Sequence, residues 1–295
     1  MPREPACTHR PPFRRADRGD GQGEAADLLH GRISAVALAR FMGLPLDPAP
    51  HPEWTHFQHR RLRRGDVPIR AGDPCLHLYV VIRGSLCTRM LDAEGKERVI
   101  AFERASDTLG LDGLASGRYT TESVALEPTD VVLIPLAGLA RPGHEGAALG
   151  AFVYRLLGRQ ILRNKAVMAM MAASRATTRL GAFLLDWHAR SDAAQSFTLP
   201  MSRTDIASLL GLSKETVSRT WSTLDRAGIV VMRRHRVTVL DPEALHRTAA
   251  GAIPSHGPRQ TARRPAPGNL LPRPPWHRPV GPGLICLTDS GADAR

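Results

Sequence analysis

FTLPMSRTDIASLLGLSKETVSRTWSTLDRAGIVVMRRHRVTVLD, residues 197–241, is the stretch that decides the fold. Ser202 followed by Asp205 is a capping-box-like helix start, with Asp in place of the usual Glu or Gln. Ile206, Leu209 and Leu210 give that first helix its apolar side. Gly211 lets the backbone turn where a side chain would obstruct it, Leu212 anchors the turn, and Ser213 caps the next helix. Two short helices joined through a glycine turn form a helix-turn-helix.

The second helix, Lys214 to about Ala227, has two chemically different faces. At about 100° per residue, Val217, Trp221 and Leu224 cluster on one side, with Glu215, Ser218, Arg219 and Ser222 opposite. A carboxylate accepts from cytosine N4, and a guanidinium donates bidentately to guanine O6 and N7. These groups sit early in the helix, where a recognition helix meets base edges. Glu215 and Arg219 taken alone also read as an i,i+4 surface ion pair. Two short strands, Ile229–Met232 and Arg236–Leu240, flank Arg233-Arg234-His235, a hairpin with a cationic tip suited to a phosphate backbone. The turn, the polar face and this wing together favour DNA.

Upstream, residues 143–173 read as one long helix. Leu149, Phe152, Val153, Leu156, Leu157, Gln160, Ile161 and Asn164 follow three-and-four spacing, continued by Val167, Met168 and Met171. Such a stripe must be buried, most simply against a second copy in a two-stranded coiled coil, or else against the rest of its own chain. Between about residues 54 and 140 the segments are short, rich in β-formers and punctuated by Gly65, Gly72, Gly84 and Gly95. Leu76–Ile82, Ser85–Leu91, Thr120–Leu126 and Thr129–Pro135 are its expected strands, in a small β-roll or barrel. Residues 1–27 and 251–295 lack periodicity and are rich in Pro, Arg and Gly, as a flexible arm and an unstructured tail would be.

The formal charge of +12 and pI near 10.8 favour an anionic partner. No apolar run is long enough to span a bilayer and no signal-peptide core follows the start, so a cytoplasmic location without membrane contact is expected. Cys7, Cys75, Cys87 and Cys286 are widely spaced and form no CxxC pair, which fits a reducing compartment. GxSxG, P-loop, HExxH and zinc-spaced Cys/His sets are all missing. Asp186 and His188, the nearest approach to an acid–base pair, are two residues apart on a predicted helix and do not share a face. An enzyme is not expected. A ligand-binding module acting through protein contacts is the competing function, although it has no need of the 202–240 pattern.

LPMSRTDIASLLGLSKETVSR (199–219) resembles the DNA-binding signature of the CRP/FNR family of bacterial transcription regulators, specifically its FNR branch. That branch's Glu-x-x-Ser-Arg motif is here Glu215 to Arg219. ATTRLGAFLLDWHARS (176–191) is similar to the helix opening the family's DNA-binding domain, and LRRGDVPIRAGDPCLHLYVVIRGSLCTRML (62–91) to its effector roll. The resemblance implies an α+β chain: a cyclic-nucleotide-binding-like effector domain (28–142), a dimerisation helix (143–173) and a winged helix-turn-helix (174–250). It implies that a homodimer binds a palindrome in double-stranded DNA and contacts RNA polymerase. Glu215, Ser218 and Arg219 would read bases. Ser202, Arg203, Thr204, Ser213, Lys214, Thr216 and Arg233 would contact phosphates.

The family's sensors can be weighed in turn. Cyclic-AMP binders carry Gly-Glu in the phosphate cassette and then an arginine. DTLGLDGLASGRYTTESVALE (107–127) lacks that Glu and places Thr121-Glu122-Ser123 near the arginine's position, with Arg118 nearby. That argues against cyclic AMP. An iron–sulfur cluster wants four thiolates, and the arm offers only Cys7, which argues against the cluster and for a FixK- or DNR-like member. Haem is the remaining nameable cofactor, with His51, His56, His59 and His77 as candidate axial ligands. A redox role for Cys75 or Cys87, and control by expression level alone, stand beside it.

Overall fold

The computed structural model describes residues 32–44, 56–140, 143–191 and 195–251. The arm, nearly all of the tail, His51, Cys7 and Cys286 lie outside them, as does the His56 side chain. The chain opens with β1 (Arg32–Ser34) and α1 (Ala35–Phe41), capped by Ser34 Oγ on the Ala37 amide at 3.1 Å. Then come β2 (His56–Leu62), β3 (His77–Arg83), β4 (Ser85–Leu91), β5 (Glu97–Arg104), β6 (Thr108–Leu109), β7 (Glu122–Ala125) and β8 (Thr129–Pro135). These strands form a five-stranded sheet, β1-β2-β8-β3-β6, facing a three-stranded one, β5-β4-β7.

Side-chain alternation assigns each strand to two cores at once. Tyr79 and Val81 of β3, Val131 and Leu133 of β8 and Leu86 of β4 fill the space between the sheets. Leu78, Val80, Ile82, Val132 and Ile134 point the other way, toward α1 and the long helix α2 (His144–Ala172). Both faces of β3 are therefore covered, so its sequence reads as an unbroken apolar run.

Gly84 makes the β3–β4 turn with φ +87°, and an added Cβ would stand 2.5 Å from Thr129 Oγ1 and 2.6 Å from the Pro128 carbonyl. Gly84→Ala should therefore cost more than about 2 kcal/mol in urea unfolding, through backbone strain and displacement of the Thr129 hydroxyl. A loss below about half that would mean the turn rearranges freely.

Helix α2 divides its apolar stripe. Leu149, Phe152, Val153 and Leu156 are buried against the roll, whereas Ile161 and Met168 are 54% and 68% exposed. After it come α3 (Ala176–Ala189), β9 (Ser196–Thr198), α4 (Arg203–Leu210), α5 (Lys214–Arg226), β10 (Val230–Arg233), β11 (Arg236–Val239) and α6 (Pro242–Ala249). The wing is a three-stranded antiparallel sheet, β10-β11-β9, so the expected hairpin gains Phe197 opposite Val237. Among the described residues no helix is long and apolar enough to cross a membrane.

Candidate nucleic-acid interface

Caps and turn fix the two helices of the 202–226 segment relative to each other. Ser202 Oγ accepts from the Asp205 amide at 3.1 Å, and Asp205 Oδ2 accepts from the Ser202 amide at 3.1 Å, completing a capping box. Gly211 ends α4 at φ +62°, ψ +39°, and Ser213 Oγ accepts from the Thr216 amide at 3.1 Å to start α5. Val217, Trp221 and Leu224 are buried beneath α5 and share one core with Leu180, Phe183 and Leu184 of α3.

The opposite face of α5 presents Glu215 and Arg219 exposed and Ser218 half-buried. Glu215 and Arg219 form no ion pair with each other or with any other described residue, so the surface-pair alternative does not describe them. Arg203 Nη1 donates to Ser218 Oγ at 3.3 Å, which brings the start of α4 onto the recognition face. Arg203, Thr204, Ser213 and Lys214 are exposed around it. The Ser202 hydroxyl donates to Asp205 Oδ2 at 2.6 Å, and those of Ser213 and Thr216 bond each other at 2.9 Å, so all three serve the caps first. Arg233 is exposed at the end of β10, paired with Arg236 across a turn in which Arg234 has φ +56°. The arrangement offers a carboxylate, a hydroxyl and a guanidinium on one protruding helix, with cations at its base and in the wing.

The helix-turn-helix does not stand free of the roll. Cys87, Val99 and Phe102, on the outer face of β4 and β5, belong to the same core as the winged helix. Arg89 Nη2 donates to Asp205 Oδ1 at 3.2 Å, and the Val99 amide to Ser208 Oγ at 2.9 Å. Below these, Asp107 Oδ1 is shared by Arg163 of α2 and by Arg190, which follows α3, at 2.6 Å from the latter. Arg104 lies 3.9 Å over the Trp187 ring and donates to Asp186 Oδ2 at 2.8 Å. Desolvation pulls its guanidinium down to about 9, helped by the charge of Arg190. Sequence reasoning missed this clasp and weighed Asp186 only as an acid–base partner of His188. The available hint was Arg159 and Arg163 standing on the apolar side of α2.

Glu103, on the inner face of β5, is 5% exposed, and its Oε2 has no hydrogen-bond partner. Burial raises its carboxyl from the usual 4.5 to about 7 despite the attraction of Arg163. The folded value lies above the unfolded one, so the native state binds this proton more tightly. Its contribution is fully present below about pH 4.5 and is lost as pH rises through about 7. Glu103→Gln should flatten that decline, on the order of 2–3 kcal/mol between about pH 5 and pH 8 in urea titrations. An unchanged pH slope would place the titration elsewhere.

The 107–127 segment, which matches the family's phosphate cassette in position, is bonded within itself. Asp112 Oδ2 accepts from the Thr120 amide at 2.8 Å, the Thr120 hydroxyl at 2.8 Å and the Thr121 hydroxyl at 3.1 Å. Arg118 Nη1 donates to the Gly72 carbonyl at 2.7 Å. The three Thr120 and Thr121 donors are thus bonded to a carboxylate of the same segment. His59 Nε2 is engaged by Asp130 Oδ1 at 2.9 Å, while burial lowers the pKa of His77. Burial pushes the Cys87 thiol up to about 12 and raises Cys75 as well, the opposite of what a reactive thiolate requires. Among the described residues no group of three or more His, Cys, Asp or Glu side chains is placed to hold a metal ion.

Comparison with known proteins bears on both halves. Residues 178–248 match the model of the Crp-like helix-turn-helix domain, and residues 59–141 that of the cyclic nucleotide-binding domain. The chain is 31% identical over 208 residues to the transcriptional regulatory protein btr of Bordetella pertussis, covering 69% of this chain and 86% of that one. It is 31% identical to the transcriptional activator protein anr of Pseudomonas aeruginosa, covering 66% and 81%. Among solved structures, FixK2 from Bradyrhizobium japonicum superposes with a TM-score of 0.59 at 25% identity, covering 67% of this chain and 99% of that one.

Proposed function

The chain belongs to the CRP/FNR family of DNA-binding transcription regulators, and from that premise we propose that it reads a palindromic operator as a homodimer. The observation that carries the proposal is the exposed polar face of α5, where Glu215 and Arg219 form no ion pair among the described residues. Glu215, Ser218 and Arg219 read base edges, and Arg203 steadies Ser218 from α4. Ser202, Arg203, Thr204, Ser213, Lys214, Thr216 and Arg233 meet the phosphates, at helix starts and in the wing.

The dimer forms along α2. Tyr154, Ile161 and Met168 recur every seventh residue, with Leu157, Asn164 and Met171 three positions after each, the spacing of a two-stranded seam. Tyr154 is 77% exposed, and Asn164, bonded by Gln160 at 3.0 Å, is a polar seam residue of the kind that fixes register. Two recognition helices about one turn of DNA apart then match a palindrome. The protein works in the cytoplasm, away from membranes, contacts RNA polymerase and catalyses no reaction itself. It does so without cyclic AMP or an iron–sulfur cluster. If haem is taken up, His77 is, of His51, His56, His59 and His77, the one with a described side chain that no carboxylate engages, and a visible spectrum of protein purified without oxygen reads this out.

A gel-shift series at rising salt tests the DNA reading. The logarithm of affinity should fall linearly with the logarithm of salt concentration, as counterions are released from contacted phosphates. No binding at low salt would defeat the proposal in favour of a module acting through protein contacts.

A further inference from the structure

Between the second half of α2 and the length of α3 lies a cavity of about 200 Å³. An apolar cavity of roughly 150 Å³ is enough to hold benzene. Here the body is lined by small or apolar side chains, among them Ala166, Val167, Met170 and Ala182, and one end by Arg163, Arg190 and Asp186. The gap exists because alanines on both helices hold the backbones close while leaving volume between them.

The polar end is not electrically balanced. Among the described residues of the clasp, the guanidinium groups of Arg104, Arg159, Arg163 and Arg190 face the carboxyl groups of Asp107, Asp186 and Glu103. One positive charge is left over even with Glu103 ionised. Asp107 is a single carboxylate shared by two arginines, and Arg163 Nη1 is buried without a hydrogen-bond acceptor of good geometry. A monoanion with an apolar body fits such a place.

The cavity is also accessible in the proposed dimer. At about 100° per residue, Arg163, Ala166 and Met170 fall roughly opposite Ile161 and Met168, so a second α2 seated on the seam leaves this side uncovered.

We infer that this cavity is a binding site for a small organic acid, an aliphatic or aromatic monocarboxylate of about the size of hexanoate. Its apolar body lies between α2 and α3, and its carboxylate is received by Arg163 and Arg190. These arginines also tie the roll to the DNA-binding half through Asp107, so occupancy bears directly on how the two halves are held.

Calorimetric titration of the full chain with hexanoate, and with hexanamide as the uncharged isostere, tests this independently of DNA binding. Hexanoate should bind saturably and raise the melting temperature, with hexanamide at least about tenfold weaker. Ala166→Leu, which fills the cavity with a good helix former, should fold normally and lose hexanoate binding. Ala182→Leu closes it from the other helix and should do the same if Ala166→Leu fails to fold. Equal binding of the two probes, undiminished binding by a folded filled variant, or no saturable binding of hexanoate would each overturn the inference.

Discussion

Arg219→Ala is expected to weaken binding to the cognate operator by about 1–3 kcal/mol, roughly tenfold to a hundredfold, and to relax preference at one base pair of each half-site. The guanidinium stands on the exposed face of α5 and takes no part in the core, which rests on Val217, Trp221 and Leu224. Its loss should leave the fold and the melting temperature unchanged. Arg233→Ala is the internal control. That side chain is exposed in the wing and is proposed to meet phosphate, so its removal should weaken all sequences about equally and lower the salt slope by about one. Competition gel shifts with operators altered one base pair at a time separate the two. Full discrimination retained by Arg219→Ala would mean that other residues read the bases.

The second large effect concerns the clasp. Asp107 is 4% exposed, and its carboxylate accepts from the Arg104 amide at 2.8 Å and is ion-paired with Arg163 and Arg190. Burial pushes its pKa up, but the two arginines more than offset this and leave it below the usual carboxylate value. Stability tied to this group is therefore present above about pH 4 and lost as acid takes pH through the depressed value. Asp107→Ala removes the partner while leaving two half-buried cations, a change that costs about 2–4 kcal/mol once partial solvation is allowed for. Urea unfolding should show that loss. A cost below about 1 kcal/mol would mean that solvent reaches the arginines and the clasp is dispensable.

The helix-turn-helix could be read directly because its signals are local. A cap residue, its partner three positions on and a left-handed glycine are all contiguous, and Ser202, Asp205, Gly211 and Ser213 each play the part their spacing announced. Strands Ser85–Leu91 and Thr129–Pro135 were legible for the same reason, as β-branched and apolar runs bounded by turn residues. Elements defined by distant partners were not. Strand β9 exists because Phe197 and Thr198 pair with Val237 and Arg236. Helix α6 is short and gains its place from Leu245 in the core and from Gly181, which lets Thr248 approach α3.

The site divides along the same line. The recognition face follows from helical periodicity. The clasp joins Arg104 and Asp107 to Arg163, Asp186 and Arg190, residues brought together only by the tertiary fold. The contacts within the 107–127 segment were only partly legible. The missing Glu and the acidic tripeptide argued against cyclic AMP, but that Asp112 itself takes the Thr120 and Thr121 donors required the structure.

Selection of binding sites from a random duplex pool, followed by footprinting of the recovered sequence, tests the central claim most directly. An inverted repeat should emerge, with half-site centres about one helical turn apart, protection in two successive major grooves and two chains per duplex. Recovery of no shared sequence, or of a single half-site bound by one chain, would contradict a dimer that reads DNA through Glu215, Ser218 and Arg219.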